Sequence, residues 1–283
     1  MSVRTIAVLG AGQMGAGIAQ VAAASGYNVV MRDIEERFVS GGLSKIEGRL
    51  QRAVEKGSLP ADEARAIRGR IRGTLDMVAA AKADLVIEAV PEDPELKKSV
   101  LRELDGLAPP SVLFASNTSS IAISELAAVT RRADRFVGMH FFNPVPVMKL
   151  VEVVRGKATG DATMASALEV CARMGKTAVD VRDFPGFVSN RVLMPMINEA
   201  VLALQEGVAT KEAIDTVMKL GANHPMGPLE LADFIGLDTC VNIMEVLRKG
   251  FASEKYAPAP LLRQMVAQGR LGKKSGHGFY DYA

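Results

Sequence analysis

The apolar positions of the chain follow two regimes. Up to about residue 181, short runs of strand length alternate with longer stretches whose apolar residues recur at helical spacing. The runs are 3–9 (VRTIAVL), 28–31, 71–75, 84–90 (DLVIEAV), 112–116 (VLFAS), 135–141, 148–154 and 177–181. Between them the spacing predicts helices over 35–56, near 61–68, from Pro94 to about Leu107, and over about 161–174. In the 35–56 segment Phe38, Leu43, Ile46, Leu50, Ala53 and Val54 are the expected buried positions. Asp93 before Pro94 is a helix start: a side chain that accepts from the first free N–H groups, then a residue with none to satisfy.

At Arg182-Asp183-Phe184-Pro185-Gly186 the strand signal stops. Apolar spacing beyond it predicts helices near 187–206, 211–220, 227–249 and 258–269. The expected organisation is an α/β domain over 1–184 followed by an all-helical domain over 185–283. Alternating strands and helices in the first part predict a doubly wound, mostly parallel sheet.

The first junction carries chemistry. The strand at 3–9 ends on Gly10-Ala11-Gly12-Gln13-Met14-Gly15, and Ile18, Ala19, Val21, Ala22 and Ala23 then give an apolar helical face. Gly10 permits the tight turn, Gly12 lets backbone approach a pyrophosphate, and Gly15 lets the helix pack on the strand. N–H groups at the helix start, including those of Gln13 and Met14, favour the phosphates. With a second strand ending at Asp33, the pattern is the dinucleotide-binding turn of a Rossmann-type fold. Asp33 is placed to accept from the adenosine ribose hydroxyls. A 2′-phosphate there would face a carboxylate, and like charges about 4 Å apart repel by roughly 4 kcal/mol at an effective dielectric near 20. NAD is therefore expected over NADP, with Arg32 as a solvated neighbour.

Composition narrows the partners. The 283 residues are 48% hydrophobic and 23% charged with a net charge of +2, which gives no nucleic-acid footprint. No run of about 18 apolar residues suggests a membrane span. The first residues enter a strand-like run with no charged leader, and the two cysteines, Cys171 and Cys240, are far apart. Reduced thiols and a cytoplasmic setting are expected. The cysteines and the three histidines show none of the short spacings of a zinc site, so no metal is expected.

In an open parallel sheet ligands lie outside the carboxyl ends of the strands. That rule brings Glu92, Lys97, Asn117 and Ser119 to the rim that carries the glycine turn. His140, near the end of the 135–141 run, joins them. Asn143-Pro144-Val145-Pro146 stops any helix and is expected to fold Glu152 back behind the imidazole, so that His140 acts as a general base oriented by a carboxylate. Arg49, Arg52 and Lys56 share a helical face that could hold the phosphates of a large anionic substrate. Asn190, one turn into the first C-terminal helix, is expected to point back toward the first domain.

These residues also carry a resemblance. The stretches GAGQMGAGIAQ, ASNTSS, GMHFFNPVPVMKLVEVV, PGFVSNR, MKLGANHPMGPLEL and KKSGHGFYDY resemble the 3-hydroxyacyl-CoA dehydrogenase family almost end to end. The resemblance implies that His140 is the base toward the substrate 3-hydroxyl, that Glu152 orients it, and that Ser119 and Asn190 bond the reacting oxygen or the thioester. It places Gly10, Gly12, Gln13, Met14, Gly15, Asp33, Glu92, Lys97, Asn117 and Asn143 on NAD. It sets Arg52 and Lys56 against the CoA phosphates, with Ser58 a departure from the family pattern. The implied reaction interconverts 3-hydroxybutyryl-CoA and acetoacetyl-CoA in fatty-acid or butanoate metabolism, with longer 3-hydroxyacyl-CoA chains as the alternative. A helical C-terminal domain that forms a homodimer is also implied. A non-catalytic dinucleotide-binding relative would be expected to lack one of Ser119, His140, Glu152 and Asn190; all four are present.

Overall fold

A computed structural model describes residues 3–282, and the chain divides into two compact units between Phe184 and Pro185. The first unit holds β1 (Thr5–Leu9), α1 (Gln13–Ala24), β2 (Asn28–Arg32), α2 (Glu36–Glu55), α3 (Ala61–Gly69), β3 (Ile71–Thr74), α4 (Met77–Ala81) and β4 (Leu85–Glu88). It continues with α5 (Pro94–Leu107), β5 (Leu113–Ser116), α6 (Ile123–Ala127), β6 (Phe136–Phe141), β7 (Leu150–Arg155), α7 (Asp161–Arg173) and β8 (Thr177–Arg182).

The strands form one eight-stranded sheet in the order β3-β2-β1-β4-β5-β6-β7-β8, parallel throughout except for the β6–β7 pair. Strand order reverses beside β1, so the loops after β1 and β4 flank a crevice at the carboxyl rim, where such sheets bind ligands. Gly10 N–H donates to Arg32 O (2.8 Å) and Ala89 N–H to Leu9 O (2.7 Å), which ties those loops to the ladder. The fold is the expected Rossmann-type arrangement. Its core joins Ile6, Val8 and Ile87 of the sheet to Ile18, Ala19 and Ala22 of α1 and to Ile46 of α2.

The second unit contains α8 (Ser189–Gln205), α9 (Lys211–Gly221), α10 (Pro228–Ile235), α11 (Leu237–Gly250) and α12 (Pro260–Ala267), around Met194, Ile197, Leu229, Leu237, Met244 and Leu262. Its last segment is bound to α10. The Asp233 carboxylate accepts from Phe279 N–H (2.9 Å), Tyr280 N–H (2.8 Å) and the Tyr282 hydroxyl (3.0 Å). Asp215 of α9 accepts from Leu229 and Glu230 N–H and from the Tyr280 hydroxyl. A Cβ on Gly278 would overlap the Asp233 carboxylate, which explains the second glycine of the KKSGHGFYDY stretch.

Two expectations are corrected. The helix expected over 227–249 is broken at Gly236, whose φ of 103° no continuous α-helix accommodates, into α10 and α11. Phe38, expected in the core, is exposed under the Arg37 guanidinium; Val39 and Gly42 take the inward positions of α2 instead.

Candidate active site

The centre of the rim is built by a hairpin. β6 and β7 pair antiparallel, and His140 and Glu152 are direct partners across that ladder. Directly opposed residues project to the same face of a sheet. The imidazole Nδ1 lies 2.8 Å from Glu152 Oε2, both groups are buried, and the Phe142 ring stands 4.7 Å from the imidazole. A carboxylate can only accept, so the Nδ1 proton is fixed toward Glu152 and the lone pair falls on Nε2. The turn that makes this possible contains the cis Asn143–Pro144 bond. It is tied down from two sides. Asn143 Oδ1 accepts from Gln13 Nε2 (2.9 Å), and the buried Lys176 ammonium donates to Val145 O (2.5 Å) and Met148 O (2.7 Å). A Cβ on Gly17 would stand 2.9 Å from Val145 Cβ, so α1 passes under the turn only because that residue is glycine.

The glycine turn fits a dinucleotide. Gly10 has φ 102°, and a Cβ there would press on Ala89 O at 2.5 Å. A Cβ on Gly15 would overlap Gly10 O, whereas nothing lies within 4 Å of the same position on Gly12, which leaves that side open for a ligand to meet backbone. No side chain caps the start of α1. Asp33 accepts from Ala11 N–H and Ile34 N–H, both at 2.7 Å, and so braces the turn. Two of about four carboxylate lone-pair positions remain for a ribose diol. Arg32 Nε donates to Leu75 O (3.3 Å).

Next along the rim, Glu92 gathers the turn after β5. Its Oε1 accepts from the Thr118 hydroxyl (2.6 Å), from the N–H (2.9 Å) and hydroxyl (3.2 Å) of Ser119, and from the N–H (3.1 Å) and hydroxyl (3.0 Å) of Ser120. Burial alone would raise the Glu92 carboxyl, but Lys97 and these donors outweigh it and hold its pKa below the usual value. Lys97 is itself 1% exposed, and donates to Glu88 Oε1 (2.7 Å) and Val90 O (3.1 Å), with Glu92 Oε2 at 3.3 Å. Asn117 extends the ladder: its N–H donates to Glu88 O and its Oδ1 accepts from Phe141 N–H (2.9 Å). Sequence reading missed Glu88, although an acidic residue inside the run DLVIEAV was a visible signal.

The basic face of α2 is partly folded inward. Gln13, Ser44, Lys45, Gly48, Arg49 and Arg52 line a cavity of about 360 Å³. Arg49 Nε and Nη2 are buried with no hydrogen-bond partner among the described residues, and burial, with Arg52 beside it, lowers the Arg49 pKa. Arg52 and Lys56 remain exposed on the same helix. In the second unit Asn190 is buried in the first turn of α8.

With this geometry in view, comparison with known proteins is direct. A family profile described as 3-hydroxyacyl-CoA dehydrogenase, NAD binding domain, matches residues 5–184, and the C-terminal domain profile of the same family matches 186–282. The chain is 55% identical over 282 residues to a probable 3-hydroxybutyryl-CoA dehydrogenase of Bacillus subtilis, covering 100% of this chain and 98% of that protein. It is 50% identical over 280 residues to the 3-hydroxybutyryl-CoA dehydrogenase of Bradyrhizobium diazoefficiens, covering 99% and 96%. Among solved structures, the (S)-3-hydroxybutyryl-CoA dehydrogenase of Ralstonia eutropha superposes with a TM-score of 0.98 at 51% identity, over 100% of both chains. The two profiles together span residues 5–282, and the chain belongs to the 3-hydroxyacyl-CoA dehydrogenase family.

Proposed function

We infer that the protein interconverts 3-hydroxybutyryl-CoA and acetoacetyl-CoA with NAD(H). The observation that carries the reading is the buried His140–Glu152 pair on the sheet rim that also bears the glycine turn. Gly10, Gly12, Gly15, Gln13, Met14 and Asp33 would hold the adenine-side half of NAD, and the rim residues Glu92, Asn117 and Asn143 frame the nicotinamide side. Bound NAD supplies the hydride acceptor for oxidation and the donor for the reverse.

The chain's own residues handle the proton and the oxygen. His140 Nε2 takes the 3-hydroxyl proton, and Glu152 stabilises the imidazolium that results, in the manner of the carboxylate of a hydrolase triad. In the reverse direction the same imidazolium returns the proton to the carbonyl oxygen. Ser119 bonds that oxygen or the thioester carbonyl.

Arg49 joins Arg52 and Lys56 as the clamp for the CoA phosphates, because an anion there satisfies the two buried guanidinium N–H groups and offsets the repulsion with Arg52. A charge-assisted hydrogen bond contributes about 1.5 to 3 kcal/mol. Arg49→Gln is therefore expected to raise KM for acetoacetyl-CoA about tenfold or more at nearly constant kcat. Acetoacetyl-pantetheine, which lacks the nucleotide phosphates, should not distinguish the variant from the parent.

The second unit exposes apolar side chains, notably Val208 (71%) and Leu220 (82%), and these support a homodimer as the working form. Two buried, unbonded thiols suit a cytoplasmic setting. The test of the reading is the rate of NADH and NADPH oxidation against acetoacetyl-CoA, longer 3-ketoacyl-CoA thioesters and free acetoacetate. A preference for NADH with acetoacetyl-CoA supports it, and turnover of free acetoacetate at the same efficiency would sink it.

A further inference from the structure

Glu88 lies at the carboxyl end of β4 and is wholly buried, with 0% of its surface exposed. The neighbouring strand supplies one partner: Ser116 is its register partner on β5 and donates its hydroxyl to Glu88 Oε2 at 2.6 Å. The other oxygen accepts from Val90 N–H (2.8 Å) and from Lys97 (2.7 Å). Lys97 comes from α5, on the far side of the rim loop, and passes the interaction to Glu92. Glu92 in turn holds Thr118, Ser119 and Ser120.

The path closes on itself. It leaves β5 at Ser116, crosses β4 and α5, and returns to the segment that begins two residues after Ser116, where Thr118 N–H also donates to Ser116 Oγ (3.2 Å). A buried ion pair is weak evidence for stability, since apolar groups of the same volume would serve as well. Here the path ends, through Ser116 at one side and Glu92 at the other, on the turn that carries Ser119. We propose that Glu88 is a positioning residue for the reaction, holding the Ser119 turn in place through Lys97 and Glu92. This rests on the dehydrogenase reading and on Ser119 meeting the reacting oxygen.

The distances give the path a direction. Lys97 is drawn to Glu88 at 2.7 Å and stands farther from Glu92, at 3.3 Å, so Glu92 is left to the turn. Five donors then converge on one Glu92 oxygen, more than its lone pairs can serve. The Ser119 hydroxyl, at 3.2 Å, makes the longest of these contacts and is the one that can turn to substrate, while its backbone N–H stays anchored at 2.9 Å. Without the Glu88 charge, Glu92 is the remaining carboxylate of the path; Lys97 moves to it and pulls it off the turn.

Glu88→Gln isolates that effect. The amide removes the charge and keeps an oxygen that accepts from Val90 N–H, while its NH2 donates to Ser116 Oγ, reversing that bond. Misplacement of a reacting group by about 1 Å costs on the order of 100-fold in rate. The expected result is a fall in kcat for acetoacetyl-CoA of about tenfold or more. The NADH dissociation constant should stay near the parent value, and the Ser119 and Ser120 amide protons should exchange faster. A purely structural role would lower the Tm and leave kcat of the folded fraction unchanged. A folded Glu88→Gln protein with kcat within about twofold of the parent overturns the proposal. Should that variant not fold, Ser116→Ala, which leaves the ion pair intact and removes both the Oε2 donor and the acceptor of Thr118 N–H, carries the test: a lowered kcat at unchanged NADH affinity supports the path, and parental kcat overturns it. Absence of turnover in the parent itself would instead refute the dehydrogenase reading, which keeps the two failures apart.

Discussion

Replacing His140 by alanine is expected to lower kcat by about 10²- to 10⁴-fold, the range that a positioned general base contributes, with NADH binding retained. The side chain is buried on the rim face of β6 and its backbone keeps its ladder partners, so the sheet has no reason to unfold. Asp33 and the glycine turn are built on β1 and β2, and the dinucleotide site should survive. Glu152→Gln is the informative companion. An amide oxygen at the Oε2 position, 2.8 Å from Nδ1 in the parent, still accepts from Nδ1–H, so the tautomer can persist, but the charge that stabilises imidazolium is gone. Its loss should fall on kcat more than on KM. Stopped-flow NADH oxidation and NADH fluorescence titration of both variants check this; parental rates with acetoacetyl-CoA in His140→Ala would remove the assignment of the base.

The largest effect on stability is expected from Asp233→Ala in the second unit. The carboxylate is wholly buried and accepts from two backbone N–H groups and one hydroxyl. Alanine leaves those donors without an acceptor, at about 1 to 3 kcal/mol each for the buried ones, so a loss of about 3 to 5 kcal/mol follows. Asparagine should not rescue it, because its NH2 would face one of the two N–H donors. Urea unfolding should show a lower midpoint at similar slope, and limited proteolysis should release the segment after Leu271 first. Unfolding at the parental midpoint would mean that the C-terminal segment contributes nothing to the stability of the unit.

The strands and long helices were legible because their apolar spacing is set by the faces they bury. The β1–α1 junction and the rim positions of His140, Asn117 and Ser119 followed from that pattern. What the pattern could not reveal depends on contacts between distant residues. The break at Gly236 is one example: a glycine within an apolar helical run reads as tolerated until its φ of 103° is seen. α4 and α6, of five residues each, are too short to show a helical period. Arg49 reads like its exposed neighbours Arg52 and Lys56, and only the packing of α1 against α2 turns it inward. Glu88 meets Ser116 through strand register and Lys97 through a helix, neither of which a local reading supplies. Lys176 is similar, an apparent surface lysine that spends its charge on two carbonyls of the turn after β6.

Placement of His140 and Glu152 as rungs of one antiparallel ladder also governs how the pair moves. Bending or breathing of the sheet carries both side chains in common mode, so their separation is insulated from fluctuations that displace the surrounding loops. A carboxylate delivered from a loop would add its own excursions to the proton-transfer distance. A residue inserted within either strand, by contrast, would turn one partner to the opposite face, which makes the dyad mechanically quiet but intolerant of any slip in register.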